Sequence, residues 1–345
     1  MPQDRRIVHV LDDLAMGGVT RALKNFETEE LAALGRHETV DIRSQTVKAT
    51  SQDDIAIVHF TANWKKLSWL LDLRLRGRFK KVILIEHTYT AGFEASEVEP
   101  KRRFHWMLRI AYSLVDQVIA VSNNQRDWIL RHKLAPPTKV VAIPQSRQCD
   151  DLLKLDPVER SNSPLKIGAF GRFHKQKGFD LLIQAMARVP AHVAQLKLAG
   201  EGPELDRLKQ FATRLPHVEI VDPFASPEAF LTSVEAVAIP SRWEAFGLVG
   251  TEARAAGRPI IAADIDGLAD QLDGSGFSHA PNSIPSIVRA IYKAAKAHDI
   301  SQRGSAARTR AASEFDKMVQ SWSAVLARPH PVPADRAHGL TATLV

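Results

Sequence analysis

The sequence predicts an α/β protein built from two consecutive units, each a parallel sheet with helices on both faces. Short apolar runs recur along the chain, amphipathic helical patterns separate most of them, and a polar, proline-containing segment at residues 144–164 divides the chain. Strands that alternate with helices form parallel sheets, because each crossover passes over a face of the sheet. The 345 residues suffice for two domains that each bury a core.

The first unit has six predicted strands and the second has five. Those of the first unit are residues 7–11, 39–42, 55–60, 82–86, 117–121 and 140–143, and those of the second are residues 165–170, 195–199, 218–221, 237–239 and 259–262. Helices are predicted in the second unit at residues 178–188, 203–214, 248–256 and 284–298, followed by one last helix at about 305–326. The proline-rich residues 328–345 are predicted to form a flexible tail.

Composition excludes several classes of protein. A single cysteine, Cys149, rules out an internal disulfide framework and fits a reducing compartment. The first apolar run, residues 7–11, is too short for a signal peptide or a membrane span. We therefore expect a cytoplasmic protein.

Two glutamates mark the most informative segment of the chain, residues 237–259. Glu244 lies in the loop after a short apolar strand, and Glu252 lies in the first turns of the helix that follows. Both carboxylates are predicted to face the crevice at the carboxyl end of the strand, where open α/β sheets bind ligands. Gly247 allows close approach to the free N–H groups at the start of the helix, which suit an anion. A solvated surface loop is the alternative for such a pair taken alone.

A second strand-to-helix turn carries two cations, Arg172 and Lys177, within residues 171–178. They can converge on one diphosphate, Arg172 through its planar guanidinium and Lys177 as a point charge. The glycines of this turn do not form the Gly-x-Gly-x-x-Gly fingerprint of dinucleotide-binding proteins. A generic basic turn is the alternative if this motif is taken alone.

In combination, these motifs resemble the retaining glycosyltransferases of the GT-B fold, specifically family 4. The resemblance covers residues 165–275 in order, and is looser in the first half of the chain. It is carried by Gly171-Arg172 with Lys177-Gly178, the run from Leu198 to Pro203, Pro240-Ser241, Glu244 to Glu252, and more loosely by Gly17-Gly18, His87 and the run from Val118 to Ser122. It implies two Rossmann-like β/α/β domains that face each other across a cleft: an acceptor-side domain at residues 1–150, completed by a helix at about 305–327, and a nucleotide-sugar domain at residues 164–304.

The resemblance also implies a role for each site residue. The candidate catalytic residues are His87, Arg172, Lys177 and Glu244. The residues expected to bind the donor are Gly17, Gly18, Arg172, Lys177, Phe224, Phe246, Gly247, Leu248 and Glu252. Arg172 and Lys177 would neutralise the departing diphosphate, with the Gly17-Gly18 loop reaching it from the opposite domain. Glu252 would accept hydrogen bonds from the ribose, and Phe224 lies where such enzymes hold the nucleobase.

For the reaction, the resemblance implies transfer of a hexose from a UDP- or GDP-sugar with retention, without a metal and without a resident cofactor. Asp264-Ile-Asp266 imitates the Asp-x-Asp of metal-dependent transferases, but is predicted to be a strand-end loop. A sugar-nucleotide epimerase or phosphorylase of the same fold and a catalytically silent nucleotide-sugar-binding protein remain as alternatives. The interdomain turn departs from the family, because Ile143-Pro144-Gln145-Ser146 stands where Pro-Asn-Gly is usual.

The distribution of charged residues indicates the class of acceptor. The formal net charge is +7, and cations interleave with tryptophans and leucines in two basic–aromatic segments, residues 62–81 and 101–109. Such segments suit an anionic membrane surface, on which each cation adds about 1 kcal/mol. A solvated helix face with buried leucines is the alternative, and nucleic acid is disfavoured because the motifs build a sugar-nucleotide crevice. We therefore expect a saccharide or glycolipid acceptor and peripheral binding to the inner face of the plasma membrane.

Overall fold

Two six-stranded parallel sheets follow one another along the chain in the computed structural model, which describes residues 5–13, 23–160, 164–223 and 226–327. The first sheet consists of β1 (Arg6–Leu11), β2 (Arg36–Asp41), β3 (Ile55–Val58), β4 (Lys81–Glu86), β5 (Gln117–Ala120) and β6 (Val140–Ala142). The second consists of β7 (Leu165–Phe170), β8 (Ala194–Ala199), β9 (Val218–Val221), β10 (Ala236–Ile239), β11 (Ile260–Ala263) and β12 (Phe277–His279).

Helices connect the strands and cover both faces of each sheet. Those around the first sheet are α1 (Glu29–Ala32), α2 (Leu67–Leu75), α3 (Ala91–Glu97), α4 (Lys101–Ser113) and α5 (Asn123–Arg131). Those that follow are α6 (Asp150–Leu153), α7 (Phe179–Met186), α8 (Leu205–Ala212), α9 (Pro227–Thr232), α10 (Leu248–Ala255), α11 (Asp266–Leu272), α12 (Ile284–Ala295), α13 (Ile300–Ala311) and α14 (Glu314–Ala327). Central strands such as β3, β5 and β10 are buried along their whole length, because helices pack on both of their faces.

The strand order locates the crevice of each sheet. The second sheet has the order β12-β11-β10-β7-β8-β9, in which the chain leaves β7 toward one edge and then returns to β10 on the other side. The carboxyl ends of β7 and β10 therefore open a crevice at this switch point. The first sheet has the order β2-β1-β3-β4-β5-β6, and its switch point lies between β1 and β3.

The end of the chain differs from the prediction in one respect. The predicted single helix is two helices, α13 and α14, separated at residues 312 and 313. Arg308 on α13 donates to the carbonyl of Ala256 at 2.9 Å, so α13 stays against the second sheet. The break lets α14 cross to the first sheet, where Trp322 packs against Phe26 with ring centroids 4.9 Å apart. The helix α14 therefore packs on the side of the first unit.

Short elements account for the other differences. Strand β12 has three residues, and α9 and α11 have six and seven, too few to show a period in the sequence. Strand β2 begins at Arg36, whereas the sequence predicted a start at residue 39. The prediction missed the first residues because the amino-terminal half of the strand is polar and only partly buried.

Candidate active site

Lys177 and Glu244 form an ion pair where the loops after β7 and β10 meet. Nζ of Lys177 lies 2.6 Å from Oε2 of Glu244, and the two side chains are 21% and 11% exposed. The hydroxyl of Ser241 donates to the same carboxylate oxygen at 3.1 Å. The sequence placed both charged residues at one site, and the structure brings them into direct contact. The diphosphate and sugar roles assigned to them stay predictions.

A glycine and a second ion pair hold these two loops together. Gly178 has φ +66°, and a Cβ atom there would lie 2.2 Å from the carbonyl oxygen of Pro240, so a larger residue does not fit. Arg242 donates to both carboxylate oxygens of Asp180 at 2.8 Å. Burial alone would raise the pKa of Asp180, but the hydrogen bonds from Arg242 outweigh it and the pKa is lowered. The carboxylate is therefore charged and fixes the geometry of the loops.

Arg172 lies at the rim of the same crevice. It follows Gly171 directly after β7, and its side chain is exposed, with no ion-pair partner among the described residues. An exposed guanidinium near a partly buried lysine leaves its N–H donors available to an anion. This placement agrees with the phosphate role predicted for Arg172, which stays a prediction.

Glu252 lies one turn into α10 and is paired with a residue that the sequence did not single out. Its Oε1 accepts a hydrogen bond from a guanidinium nitrogen of Arg147, and the Glu252 residue is only 6% exposed. Arg147 belongs to the segment that joins the two sheets. A ribose at Glu252 would therefore meet a carboxylate that the interdomain segment already orients. The only sequence signal for Arg147 is its place just after the predicted turn at Gln145.

His87 follows β4 on a turn that is held by buried Glu86. Oε1 of Glu86 accepts hydrogen bonds from the backbone N–H groups of residues 88 and 89, at 3.0 and 2.9 Å. The imidazole of His87 lies between the amide of Gln145, 3.0 Å from Nδ1, and the ring of His59, 3.3 Å from Nε2. Burial lowers the pKa of His87 to about 4, so the ring is neutral at pH 7. The sequence predicted His87 at the cleft but not these partners.

Asp264 and Ile265 lie in a loop at the end of β11, and Asp266, which follows them, makes contacts that the sequence did not show. Asp266 begins α11, and its carboxylate crosses to the first half of the chain. It accepts hydrogen bonds from the Thr90 hydroxyl at 2.7 Å and the Gly92 N–H at 3.0 Å, and from the Glu244 N–H of its own half at 3.2 Å. Burial raises the pKa of Asp266. Its role in the structure is to couple the turn that follows His87 to the loop that carries Glu244.

The remaining predicted residues divide into two groups. Gly17, Gly18 and Phe224 lie outside the described residues. Phe246 is buried, and Gly247 adopts φ +94° immediately before Leu248, the first residue of α10. The amide of Gln271 donates to the carbonyl oxygens of Phe246 and Gly247 at 2.7 and 3.2 Å, which fixes the start of α10 beside Glu244.

A group of potential metal ligands occurs elsewhere, on helices of the first half. The fold brings together Glu94 of α3, His105 of α4 and His132, which follows α5. Nε2 of His105 lies 3.0 Å from Oε1 of Glu94, and Nε2 of His132 lies 3.8 Å from Oε2. The indole N–H of Trp128 also donates to Glu94, at 2.8 Å. The residues predicted to bind the nucleotide sugar are on other elements.

The two basic–aromatic segments lie on and beside α2 and α4. Five large apolar residues in the described part of the chain are exposed, and all five are here: Trp64 (46%), Leu71 (45%), Leu75 (70%), Trp106 (62%) and Ile110 (37%). Arg103 lies 5.5 Å from the ring centroid of Trp64. Lys81 is an exception, because it is buried and donates to the carbonyl of Val325. Of the helices described, none combines the length and the apolar character that a bilayer crossing requires.

Family models match the chain on both sides of the segment that joins the sheets. The model described as Glycosyltransferase Family 4 matches residues 35–146, and the one described as Glycosyl transferases group 1 matches residues 164–296. Together they cover more than two thirds of the chain.

The chain belongs to the group 1, family 4 glycosyltransferases.

Curated proteins and solved structures that are similar to this family member agree with the match. Glycogen synthase from Mycobacterium tuberculosis is 32% identical over 170 residues, which are 44% of this chain and 39% of that protein. This glycosyltransferase-family chain thus spans about two fifths of the length of the first curated relatives it matches. Among solved structures, sucrose-phosphate synthase from Thermosynechococcus elongatus has a TM-score of 0.72 at 18% identity, over 93% of this chain and 98% of that one. Anabaena HepE in complex with UDP has a TM-score of 0.70 at 19% identity, over 94% and 100%. These structures show that the chain has the GT-B fold.

Proposed function

We propose that this protein is a retaining glycosyltransferase that moves a hexose from a UDP- or GDP-sugar to a saccharide or glycolipid acceptor, without a metal ion. The observation that carries the proposal is the set of charged groups at the switch point between β7 and β10. Exposed Arg172, the Lys177–Glu244 ion pair and buried Glu252 lie on the loops after β7 and β10 and on α10, around this crevice. Two cations and two carboxylates suit a ligand that carries both a diphosphate and hydroxyl groups.

The cations supply what the chemical step needs most. Negative charge grows on the diphosphate as its bond to the sugar breaks, and preorganised cations stabilise that charge in the transition state. The leaving phosphate would take the proton of the acceptor hydroxyl, so that neither a carboxylate nucleophile nor a metal is required. The UDP complex of the similar Anabaena structure supports a uridine donor, and GDP-sugars remain the second choice.

The acceptor proposal rests on the exposed apolar residues of α2 and α4. We infer that this surface binds an anionic membrane and that the acceptor is lipid-linked. Several cations that the sequence suggested for the membrane are already paired with carboxylates: Lys66 with Asp12, Arg74 with Asp116, Arg76 with Asp72, and Lys80 with Asp53. The exposed indole rings of Trp64 and Trp106 therefore support membrane binding more strongly than the net charge does. A cytoplasmic membrane face is the location that we infer.

Donor consumption tests the enzymatic proposal. Release of UDP or GDP is measured from UDP-glucose, UDP-galactose, UDP-N-acetylglucosamine and GDP-mannose, in EDTA, with a bacterial glycolipid extract as acceptor and Arg172→Ala as the control variant. The proposal expects release of one nucleotide, dependent on the extract and on Arg172, and proton NMR of the product expects the anomeric configuration of the donor. Interconversion of the sugar without transfer would instead identify an epimerase. Nucleotide binding without consumption of any donor would identify a silent binding protein.

Vesicle sedimentation tests the membrane proposal. Wild-type protein is expected to sediment with vesicles that contain anionic phosphatidylglycerol and to remain free with neutral phosphatidylcholine. Trp64→Ser combined with Trp106→Ser removes two exposed indoles without touching the core, so the double variant should lose most of its sedimentation while its unfolding stays unchanged. The matched control is Trp69→Phe, at a partly buried position of the same segment. Equal sedimentation of the wild type and the double variant would contradict the proposal.

A further inference from the structure

Four histidines form a continuous hydrogen-bonded chain across the first sheet, and it ends at His87. The chain, in order from the sheet edge to the cleft, is His37 on β2, His9 on β1, His59 after β3 and His87 after β4. Successive ring nitrogens are 2.9 Å apart between His37 and His9, 2.9 Å between His9 and His59, and 3.3 Å between His59 and His87. This histidine chain crosses four adjacent strands, from the amino-terminal half of β2 through β1 to the residues that follow β3 and β4.

Both ends of the histidine chain are fixed by groups outside it. Nε2 of His37 lies 3.1 Å from the backbone carbonyl oxygen of Leu31. Nδ1 of His87 lies 3.0 Å from the amide nitrogen of Gln145, a residue of the interdomain turn that departs from the family. A carbonyl oxygen can only accept a hydrogen bond and an amide nitrogen can only donate one. The chain therefore runs from a donor at the cleft to an acceptor at the sheet edge.

Burial keeps the rings of the histidine chain neutral. Desolvation lowers the pKa of His9 to about 3 and of His87 to about 4, and it lowers the pKa values of His37 and His59 as well. A neutral imidazole carries one N–H and one bare nitrogen. The direction of every hydrogen bond in the chain then follows from the acceptor at Leu31.

The tautomers can be assigned ring by ring from that end. His37 must carry its proton on Nε2 to donate to Leu31, so its Nδ1 accepts from Nε2–H of His9. Nδ1 of His9 then accepts from Nε2–H of His59, whose Nδ1 accepts from Nε2–H of His87. His87 is left with a bare Nδ1, which accepts from Gln145.

We propose that the histidine chain is a positioning device that holds His87 as the Nε2–H tautomer, so that its bare Nδ1 accepts a hydroxyl of a neutral donor sugar. This inference rests on the proposed function and narrows its substrate to neutral hexoses. A sugar hydroxyl replaces the Gln145 amide as donor to Nδ1. The carboxylate of a uronic acid has only acceptor oxygens at neutral pH and finds no partner there. A buried polar group left without a partner costs about 1–3 kcal/mol, which corresponds to about a 5- to 150-fold preference.

His37 is the residue at which the proposal is tested, because it lies on the edge strand β2, three ring contacts from His87. His37→Leu removes the acceptor for Nε2–H of His9. Burying that N–H without a partner is unfavourable, so the whole chain should reverse, with the Gln145 amide turned to accept from Nδ1–H of His87. His37→Gln keeps the direction, because its amide accepts from His9 and donates to Leu31. His192→Gln, at an exposed histidine outside the chain, is the matched control.

NMR of protein with ¹⁵N-labelled histidine gives the first readout, and it needs no substrate. The wild type and His37→Gln are expected to show His87 protonated on Nε2 at pH 7, and His37→Leu is expected to show it protonated on Nδ1. Gln145→Leu should leave the tautomer of His87 unchanged, since the direction is set at Leu31. Protonation of His87 on Nδ1 in the wild type, or an unchanged tautomer in His37→Leu, would overturn the proposal. If His37→Leu does not fold, the wild type and Gln145→Leu still decide it.

Donor competition gives the second readout. The hexose donor that the protein consumes is compared with the uronic acid of the same nucleotide, by the ratio of kcat/KM. We expect this ratio to fall at least 5-fold in His37→Leu and to stay within 2-fold of the wild type in His37→Gln and His192→Gln. An unchanged ratio in a His37→Leu protein whose tautomer has reversed would overturn the specificity. Absence of donor consumption by the wild type would refute the proposed function alone, because the tautomers are measured independently of it.

Discussion

Replacement of Lys177 by methionine tests whether the ion pair with Glu244 is a preformed part of the crevice. At 2.6 Å and an effective dielectric constant of about 20, the gross attraction between the charges is about 6 kcal/mol. Desolvation of both groups offsets most of this attraction. Removing one partner of a fully buried pair costs about 3–5 kcal/mol, whereas an exposed pair contributes about 0–1 kcal/mol. Because these side chains are 21% and 11% exposed, we expect Lys177→Met to lower the free energy of unfolding by about 2 kcal/mol.

The two partners should not be equivalent. Glu244 is the more buried of the two, and without Lys177 its carboxylate keeps the hydroxyl of Ser241 but has no cationic partner among the residues that the structure describes. Glu244→Gln removes the buried charge and leaves a lysine that can turn toward solvent, so it should cost about 1 kcal/mol or less. In the double variant the cost should be well below the sum of the single costs, with a coupling energy of about 1–2 kcal/mol.

Urea unfolding of the wild type, the two single variants and the double variant measures this coupling. The matched control is Lys175→Met, which breaks a lysine–glutamate pair of similar length on the same turn. Nζ of Lys175 lies 2.9 Å from Oε1 of Glu97, but the side chains are 57% and 30% exposed. The control should shift the free energy of unfolding by less than about 0.5 kcal/mol. Equal effects of Lys177→Met and Lys175→Met, or no rescue by Glu244→Gln, would refute the reasoning.

Three further predictions concern turnover, nucleotide binding and pH. Arg172→Ala should reduce kcat about 100-fold or more while urea unfolding stays within about 0.5 kcal/mol, because the side chain is exposed; unchanged turnover would remove Arg172 from the phosphate site. Glu252→Ala should weaken UDP or GDP binding by about 1.5–3 kcal/mol in titration calorimetry, and equal affinity would exclude a ribose contact. Stability should fall as the pH falls from about 6.5 toward 4, by about 1.4 kcal/mol per pH unit for each of His9 and His87, because below pH 6.5 the unfolded chain binds protons that the folded chain excludes. A flat urea midpoint between pH 6.5 and 4.5 would contradict the neutral histidines.

The sequence predicted eleven of the twelve strands because each carries a run of apolar residues bounded by polar ones. Strand β12 was not predicted, because Phe277–His279 is a short edge strand that pairs only with β11 and has no apolar run of its own. The final helix was predicted as one because no glycine or proline interrupts residues 305–326. Only the packing of α13 and α14 on different sheets separates them.

The sequence predicted which residues belong to the candidate site, but it did not predict which of their side chains are in contact. Lys177 and Glu244 are 67 residues apart, and no pattern in the sequence shows that their side chains meet. The sequence placed Asp266 in a strand-end loop and did not show its contacts, because its partners Thr90 and Gly92 belong to the other half of the chain. The histidine chain depends on which strands are neighbours and on their register, and a single sequence fixes neither.

The most direct test of the central claim is the thermal stability of the protein with saturating UDP, GDP and ADP in turn, in EDTA. We propose that the crevice binds the nucleotide diphosphate through Arg172, Lys177 and Glu252, without a metal. One nucleotide at about 100 times its Kd should therefore stabilise the fold by roughly 2.7 kcal/mol, which is readily seen as a rise in Tm. The account predicts this rise with UDP or GDP in the wild type and a smaller one in Glu252→Ala. No rise with any of the three nucleotides in the wild type would contradict it.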